Sequence, residues 1–163
     1  MQRNVSGRTG GQPPHQKRDE RAHVKDESRD ERRLIDVDSI RFGEKIDPRL
    51  YSDIAEQAAK TVGAKGRQEK NNKPAQLRRF YDELLMLQEK VGSDKERFEQ
   101  QRPFIEMLKA KVAYAKGREK VDENFVRLLR KVVDEVRDPE TLKQARLFME
   151  AFMAFYKLYG PKD

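Results

Sequence analysis

The sequence predicts an all-α protein: a small helical bundle of about five main helices, preceded by a disordered polar N-terminal tail. Three observations carry this. From residue 50 onward, apolar residues recur at spacings of three and four in successive segments. Those segments open on Asp, Ser or Pro and close on Gly. No stretch alternates strongly enough to line one face of a sheet.

Residues 1–33 form a separate compositional unit. Only Met1, Val5, Ala22 and Val24 are apolar, against nine basic and six acidic residues. Such a segment buries too little apolar surface to offset chain entropy, so a disordered charged tail is predicted. The alternative is a solvated helix from Gln16 to Arg33, laced by i,i+4 charge pairs. Residues 34–163 are predicted to form a single helical-bundle domain. Its first stretch, LIDVDSIRFGEKI at 34–46, alternates loosely and predicts a short extended segment lying on the domain.

Asp47-Pro48 predicts an N-cap with proline at the first helical position. Leu50, Tyr51, Ile54, Ala58 and Val62 then share one face, and Gly63 stops the helix. Residues 63–73, GAKGRQEKNNK, read as a basic loop. Pro74 opens the second helix, with Leu77, Phe80, Tyr81, Leu84, Leu87 and Val91 inward and Gly92 at its end. Ser93 and Glu96 match a capping box. Pro103 is expected to split the third helical stretch into a short helix and a longer one. The longer one is predicted to bury Phe104, Ile105, Leu108, Val112 and Ala115 before Gly117. Asp122 caps the next helix, with Phe125, Leu128, Leu129, Val132 and Val136 inward, and Asp138-Pro139 starts the last, which runs to Tyr159.

Composition excludes several function classes. Charged residues make up 40% of the chain, against about 25% in an average domain. The net charge is +7 and the pI about 9.6, a balance suited to a polyanionic partner. There is no cysteine, and the two histidines, His15 and His23, both lie in the tail. No metal site and no cofactor are therefore predicted. After residue 33 the hydroxyl residues are Ser39, Ser52, Thr61, Ser93 and Thr141, none in a nucleophile motif, and no glycine run forms a phosphate loop. The chain reads as a non-enzyme. No apolar run approaches the roughly 20 residues of a membrane span, and no signal-peptide core is seen, so a cytoplasmic protein is predicted.

Basic residues supply the candidate site. In the helix after Pro103, Lys109 and Lys116 share one flank and Lys111 and Arg118 the other, with Met107 and Tyr114 beside them. These stripes border the apolar face, where lysines also snorkel merely to cover a core edge. Arg78-Arg79 is a second candidate, and the loop residues Lys65, Arg67, Lys70 and Lys73 a third. The last helix is apolar nearly all round. Phe148, Phe152, Phe155 and Tyr159 line one face, and Leu147, Ala151, Ala154 and Leu158 another. Its charges, Lys143, Arg146, Glu150 and Lys157, keep to one narrow stripe. Such a helix is central to a core or also packs on a partner. The aromatic side is predicted to be core, and the Leu147, Ala151, Ala154 and Leu158 side a subunit contact.

Three phrases carry a family resemblance: QLRRFYDEL at 76–84, LKAKVAYAKGRE at 108–119 and FMEAFMAFYKLYG at 148–160. In order and spacing they resemble the small helical subunit of type III-A CRISPR effector complexes, the Csm type, over about residues 40–160. The resemblance implies a non-catalytic subunit in antiviral defence. It would stand in several copies as a filament beside other subunits of the effector complex, holding CRISPR RNA and target RNA without reading sequence. The family's basic positions carry over onto Arg78, Arg79, Lys109, Lys111 and Arg118. One departure is the absence of the family's Thr or Ser before Gln-Leu-Arg, where this chain has Lys73-Pro74-Ala75. Apart from the resemblance, two other readings fit the residues. One is a helix-turn-helix DNA-binding protein using the Gln76, Arg78 and Arg79 helix start. The other is a helical protein–protein adaptor.

Overall fold

A computed structural model of the chain describes residues 34–64 and 70–162. The predicted tail, residues 1–33, and the loop cations Lys65 and Arg67 lie outside the described residues. Among those described there are five α-helices and no strand: α1 (Ala55–Val62), α2 (Pro74–Val91), α3 (Lys95–Gly117), α4 (Glu123–Asp134) and α5 (Pro139–Tyr159). A π-helical turn, Leu50–Ile54, leads into α1.

The local signals resolve with three corrections. Asp47-Pro48 is the turn before the first helix rather than its cap. Its carboxylate accepts the Arg49 N–H at 2.9 Å and its carbonyl the Leu50 N–H at 2.9 Å. The N-cap of α3 is Asp94, not Ser93; the Asp94 carboxylate accepts the Arg97 N–H at 2.9 Å. An ionised carboxylate is the stronger acceptor for an orphan N–H, so the cap moves one residue on. Pro103 does not split the helix. Its missing N–H frees only the carbonyl of exposed Glu99, which water can serve, while Phe98 and Ile105 anchor both sides of the break in the core. Asp122 caps α4 as predicted; Asp138, expected at the start of the last helix, caps α5, and the Thr141 hydroxyl oxygen accepts the Asp138 N–H in a capping box. The Thr141 N–H bond holds the Asp138 carboxyl below the usual carboxylate range.

Helices α2, α3 and α4 pack in sequence and α5 lies against α1 and α2. Lys111 of α3 pairs with Glu83 of α2, while Lys109 and Lys116 pair with Asp134 and Glu123 of α4, so α4 runs antiparallel to α3. An aromatic series joins three helices. Phe80 of α2 meets Phe125 of α4 at 5.5 Å between centroids, Phe125 meets Phe152 of α5 at 6.4 Å, and Phe152 stacks on Tyr156 at 5.4 Å. Burying such rings is the largest single source of stability per residue in a core this thin. At the end of α1 the Tyr159 backbone passes so close that a Cβ on Gly63 would stand 2.4 Å from its carbonyl oxygen. Gly92 ends α2 at φ +56, the left-handed region that glycine enters without strain.

The segment 34–46 lies on the bundle as predicted, with Ile35, Ile40 and Phe42 buried. Its backbone is satisfied by side chains rather than by a sheet. The Ile35 N–H donates to Asn124 Oδ1 at 2.9 Å, and Gln144 both accepts from the Gly43 N–H and donates to the Gly43 carbonyl, each at 2.9 Å. Arg137 donates to the Phe42 carbonyl at 2.6 Å, and Glu135 accepts the Phe42 N–H at 3.3 Å. Burial pushes the Glu135 carboxyl up, but Lys131, the Phe42 N–H and Arg137 more than offset it and hold it below its usual range.

Candidate nucleic-acid interface

The start of α2 and the end of α3 lie at one end of the bundle. Asn72, 1% exposed and at φ +57, is the residue that fastens them. Its N–H donates to the Lys120 carbonyl at 2.9 Å, its side-chain oxygen accepts the Asp122 N–H at 2.9 Å, and its carbonyl accepts the Tyr156 hydroxyl at 2.6 Å. Asparagine tolerates this left-handed backbone better than most residues while satisfying buried backbone groups. Sequence reasoning placed Asn72 in a loop and missed this role. The only signal was Asn-Asn just ahead of a helix-opening proline.

At this end stand Lys73, Arg78, Arg79, Lys116 and Arg118. Lys73 is half-buried at the start of α2 and donates from Nζ to the Lys162 carbonyl at 3.1 Å; its side chain makes no cap bond to the helix. Arg78 is exposed and 3.8 Å from Asp82, one turn along. Arg79 is exposed, and among the described residues no carboxylate pairs with it. Arg118, also exposed, sets its guanidinium 5.8 Å from the centre of the Tyr114 ring.

The two predicted flanks of α3 are real but each is engaged. Lys109 is held by Asp134 of α4 and by Glu106 at 2.7 Å. Burial lowers the readiness of its ammonium to charge, yet the two carboxylates more than offset that and raise it above its usual range. Lys116 pairs with Glu123 of α4, and Lys111 crosses to Glu83 of α2. Lys109 sits two turns from Lys116, so it stands apart from the basic end. Exposed pairs such as those of Lys111 and Lys116 contribute only about 0–1 kcal/mol, so a phosphate can replace the carboxylate.

Two further cations escaped the sequence reading. Arg127 and Arg130 are exposed on the outer side of α4. With Lys116 and Lys131 they line a shallow groove of about 510 Å³ between α3 and α4, whose acidic members are Glu123 and Asp134. Their position opposite the apolar face of α4 was the available signal.

The last helix divides as predicted at its extremes. Phe148 and Phe152 are fully buried and Phe155 half-buried; Leu147 and Ala151 are half-buried, Ala154 is exposed and Leu158 is 74% exposed. Arg146, expected in the solvated stripe, is half-buried and bonds Glu150 at 2.7 Å. One predicted core residue is on the surface: Phe104 is 51% exposed, because α3 turns only the Ile105, Leu108 and Val112 side to the bundle. Among the described residues no group of His, Cys, Asp and Glu is placed to hold a metal, and no helix is long and apolar enough to cross a membrane.

A helical bundle with cations gathered at one end and along one groove defines a class: small, basic, all-α proteins. The chain belongs to the Csm2 Type III-A family, whose model matches residues 49–162, and is thus a small subunit of a type III-A CRISPR effector complex. No characterised protein and no solved structure matches it. The matched span begins after the 34–46 segment.

Proposed function

We propose that this subunit is non-catalytic and holds guide and target RNA by the phosphate backbone, without reading bases, in the cytoplasm. Arg79 and Arg118 carry the reading: two exposed guanidiniums at one end of the bundle, without carboxylate partners among the described residues. Lys73, Arg78 and Lys116 surround them, and Lys111 and Lys109 extend the surface along α3. Phosphate contacts fix position and carry no base code, which suits a subunit that must accept any guide. The outer flank of α5, with Leu147 and Ala151 half-buried and Ala154 and Leu158 exposed, is the contact to other subunits and to copies of this chain.

Affinity against salt for two unrelated RNAs tests the RNA surface. Arg79→Ala, and separately Lys111→Ala with Arg118→Ala, are expected to weaken both RNAs alike. Each lost phosphate contact should reduce the salt slope by about 0.7. Lys143→Ala is the control, since Lys143 is exposed on α5. Equal losses in control and test variants would leave only net charge at work. Loss confined to one RNA would point to base readout and a different class of protein.

A further inference from the structure

Beside its buried stripe α3 carries a second one. Phe104, Met107, Lys111, Tyr114 and Arg118 are all exposed and follow the three-four spacing that places residues on one helix face. Apolar groups and cations therefore share about 20 Å of outer surface, with Lys111 and Arg118 on either side of Tyr114. The ring of Tyr114 is 68% exposed, the most open aromatic side chain among the exposed large apolar residues. Arg118 lies against it at 5.8 Å from the centroid, an arrangement that orients the ring while most of it stays in solvent. Tyrosine has few rotors to freeze, so stacking on it orders little. Lys111, one turn back, is held only by an exposed pair with Glu83.

We propose that Tyr114 is a stacking platform for an unpaired nucleobase, so that this face takes single-stranded RNA or a base displaced from a duplex. The proposal rests on the RNA reading above and goes beyond it, since backbone contact alone does not distinguish single strands from duplex. A continuous A-form duplex keeps its base faces occupied by their neighbours, whereas an unpaired base offers a face to an aromatic ring flanked by cations. Lys111 in the middle of the stripe argues against a protein partner here, because lysine is depleted from protein interfaces.

The test uses the full chain with a single-stranded RNA of about a dozen nucleotides and a blunt duplex of the same length. Tyr114→Ala should weaken the single strand by about tenfold, equivalent to about 1.4 kcal/mol, and leave the duplex unchanged; Tyr114→Phe should retain binding. The chain has no tryptophan, so Tyr114→Trp installs a lone reporter whose emission should be quenched by the single strand and not by the duplex. Arg79→Ala should weaken both RNAs. If Tyr114→Ala leaves single-strand affinity intact, or the tryptophan is not quenched, while Arg79→Ala still weakens binding, the platform is overturned and the RNA reading stands. If the unaltered chain binds neither RNA at low salt, both fall. Loss of self-association in Tyr114→Ala with RNA affinity intact would assign the stripe to a protein contact and overturn the proposal.

Discussion

The two longest helices, α3 and α5, differ in composition, with ten apolar residues of 23 in α3 against thirteen of 21 in α5, and differ further in role. α5 buries eight of its side chains, from Thr141 to Tyr156, whereas α3 buries only Phe98, Ile105, Leu108 and Val112. Part of the difference is this composition, and part lies in their neighbours. α5 packs on α1, α2 and the π-helical turn, while among the described elements α3 packs chiefly on α2 and α4. Apolar content thus says how much surface a helix could bury. The number of packed neighbours says how much it does bury, and the surplus on α3, at Phe104, Met107 and Tyr114, is left facing outward.

The sharpest way to break this comparison is to truncate one aromatic ring on each helix. Phe152→Ala should cost about 3–5 kcal/mol, through a cavity beside Phe125 and Tyr156. Thermal melts by circular dichroism should show a fall of about 10 °C or more. Phe104→Ala should change stability by no more than about 0.5 kcal/mol. Equal melts would show that the outer face of α3 is packed after all.

Asn72 offers the next largest effect, about 2–3 kcal/mol on Asn72→Ala, since the half-buried Asp122 N–H loses its acceptor and alanine must hold a left-handed backbone. Asn72→Gly relieves the backbone cost alone, so its denaturant midpoint should fall between alanine and the native chain. A lower midpoint for glycine than for alanine would remove backbone conformation from the account.

Charging the outer flank of α5 separates core from contact within one helix. Ala154→Glu, at an exposed position, should leave the melt of the free chain within about 0.5 kcal/mol and reduce co-purification with the other subunits. Ala151 is half-buried and packs against the core, so Ala151→Glu should also lower the melt. An Ala154→Glu chain that assembles normally would move the contact elsewhere.

The smallest effect is in pH. The folded carboxyl of Asp138 is depressed, first by its bond from the Thr141 N–H. Its contribution is therefore full above the unfolded carboxylate value near 3.9 and is lost as pH falls through the folded value. Asp138→Asn should keep most of the cap at neutral pH, because asparagine caps nearly as well, and should flatten the loss of melting temperature below about pH 4. An acid limb as steep as that of the native chain would assign the loss to other groups, Glu135 first.

The helices themselves, their closing glycines and the inward faces of α1, α2, α4 and α5 could be read from local chemistry, because spacing and caps act within a few residues. The same reasoning predicted a break at Pro103 and burial of Phe104. Both depended on which side of α3 the bundle would leave open. The basic candidates were found as residue types, yet their states were not readable. Lys109, Lys111 and Lys116 face carboxylates on neighbouring helices, whereas Arg79 and Arg118 have none among the described residues, and that pairing depends on helix order and register.

By itself, then, the sequence determined the all-α class, the order and faces of the helices, the family and the basic character of the surface. Each comes from short-range periodicity, capping and composition. Only the tertiary structure decided that Asn72 fastens three segments, that Gln144 and Asn124 hold the 34–46 segment, and that α3 keeps an exposed stripe centred on Tyr114. Those outcomes join residues about fifty to a hundred positions apart in the chain, a distance over which no local pattern carries information. They depend on which faces meet when the helices pack.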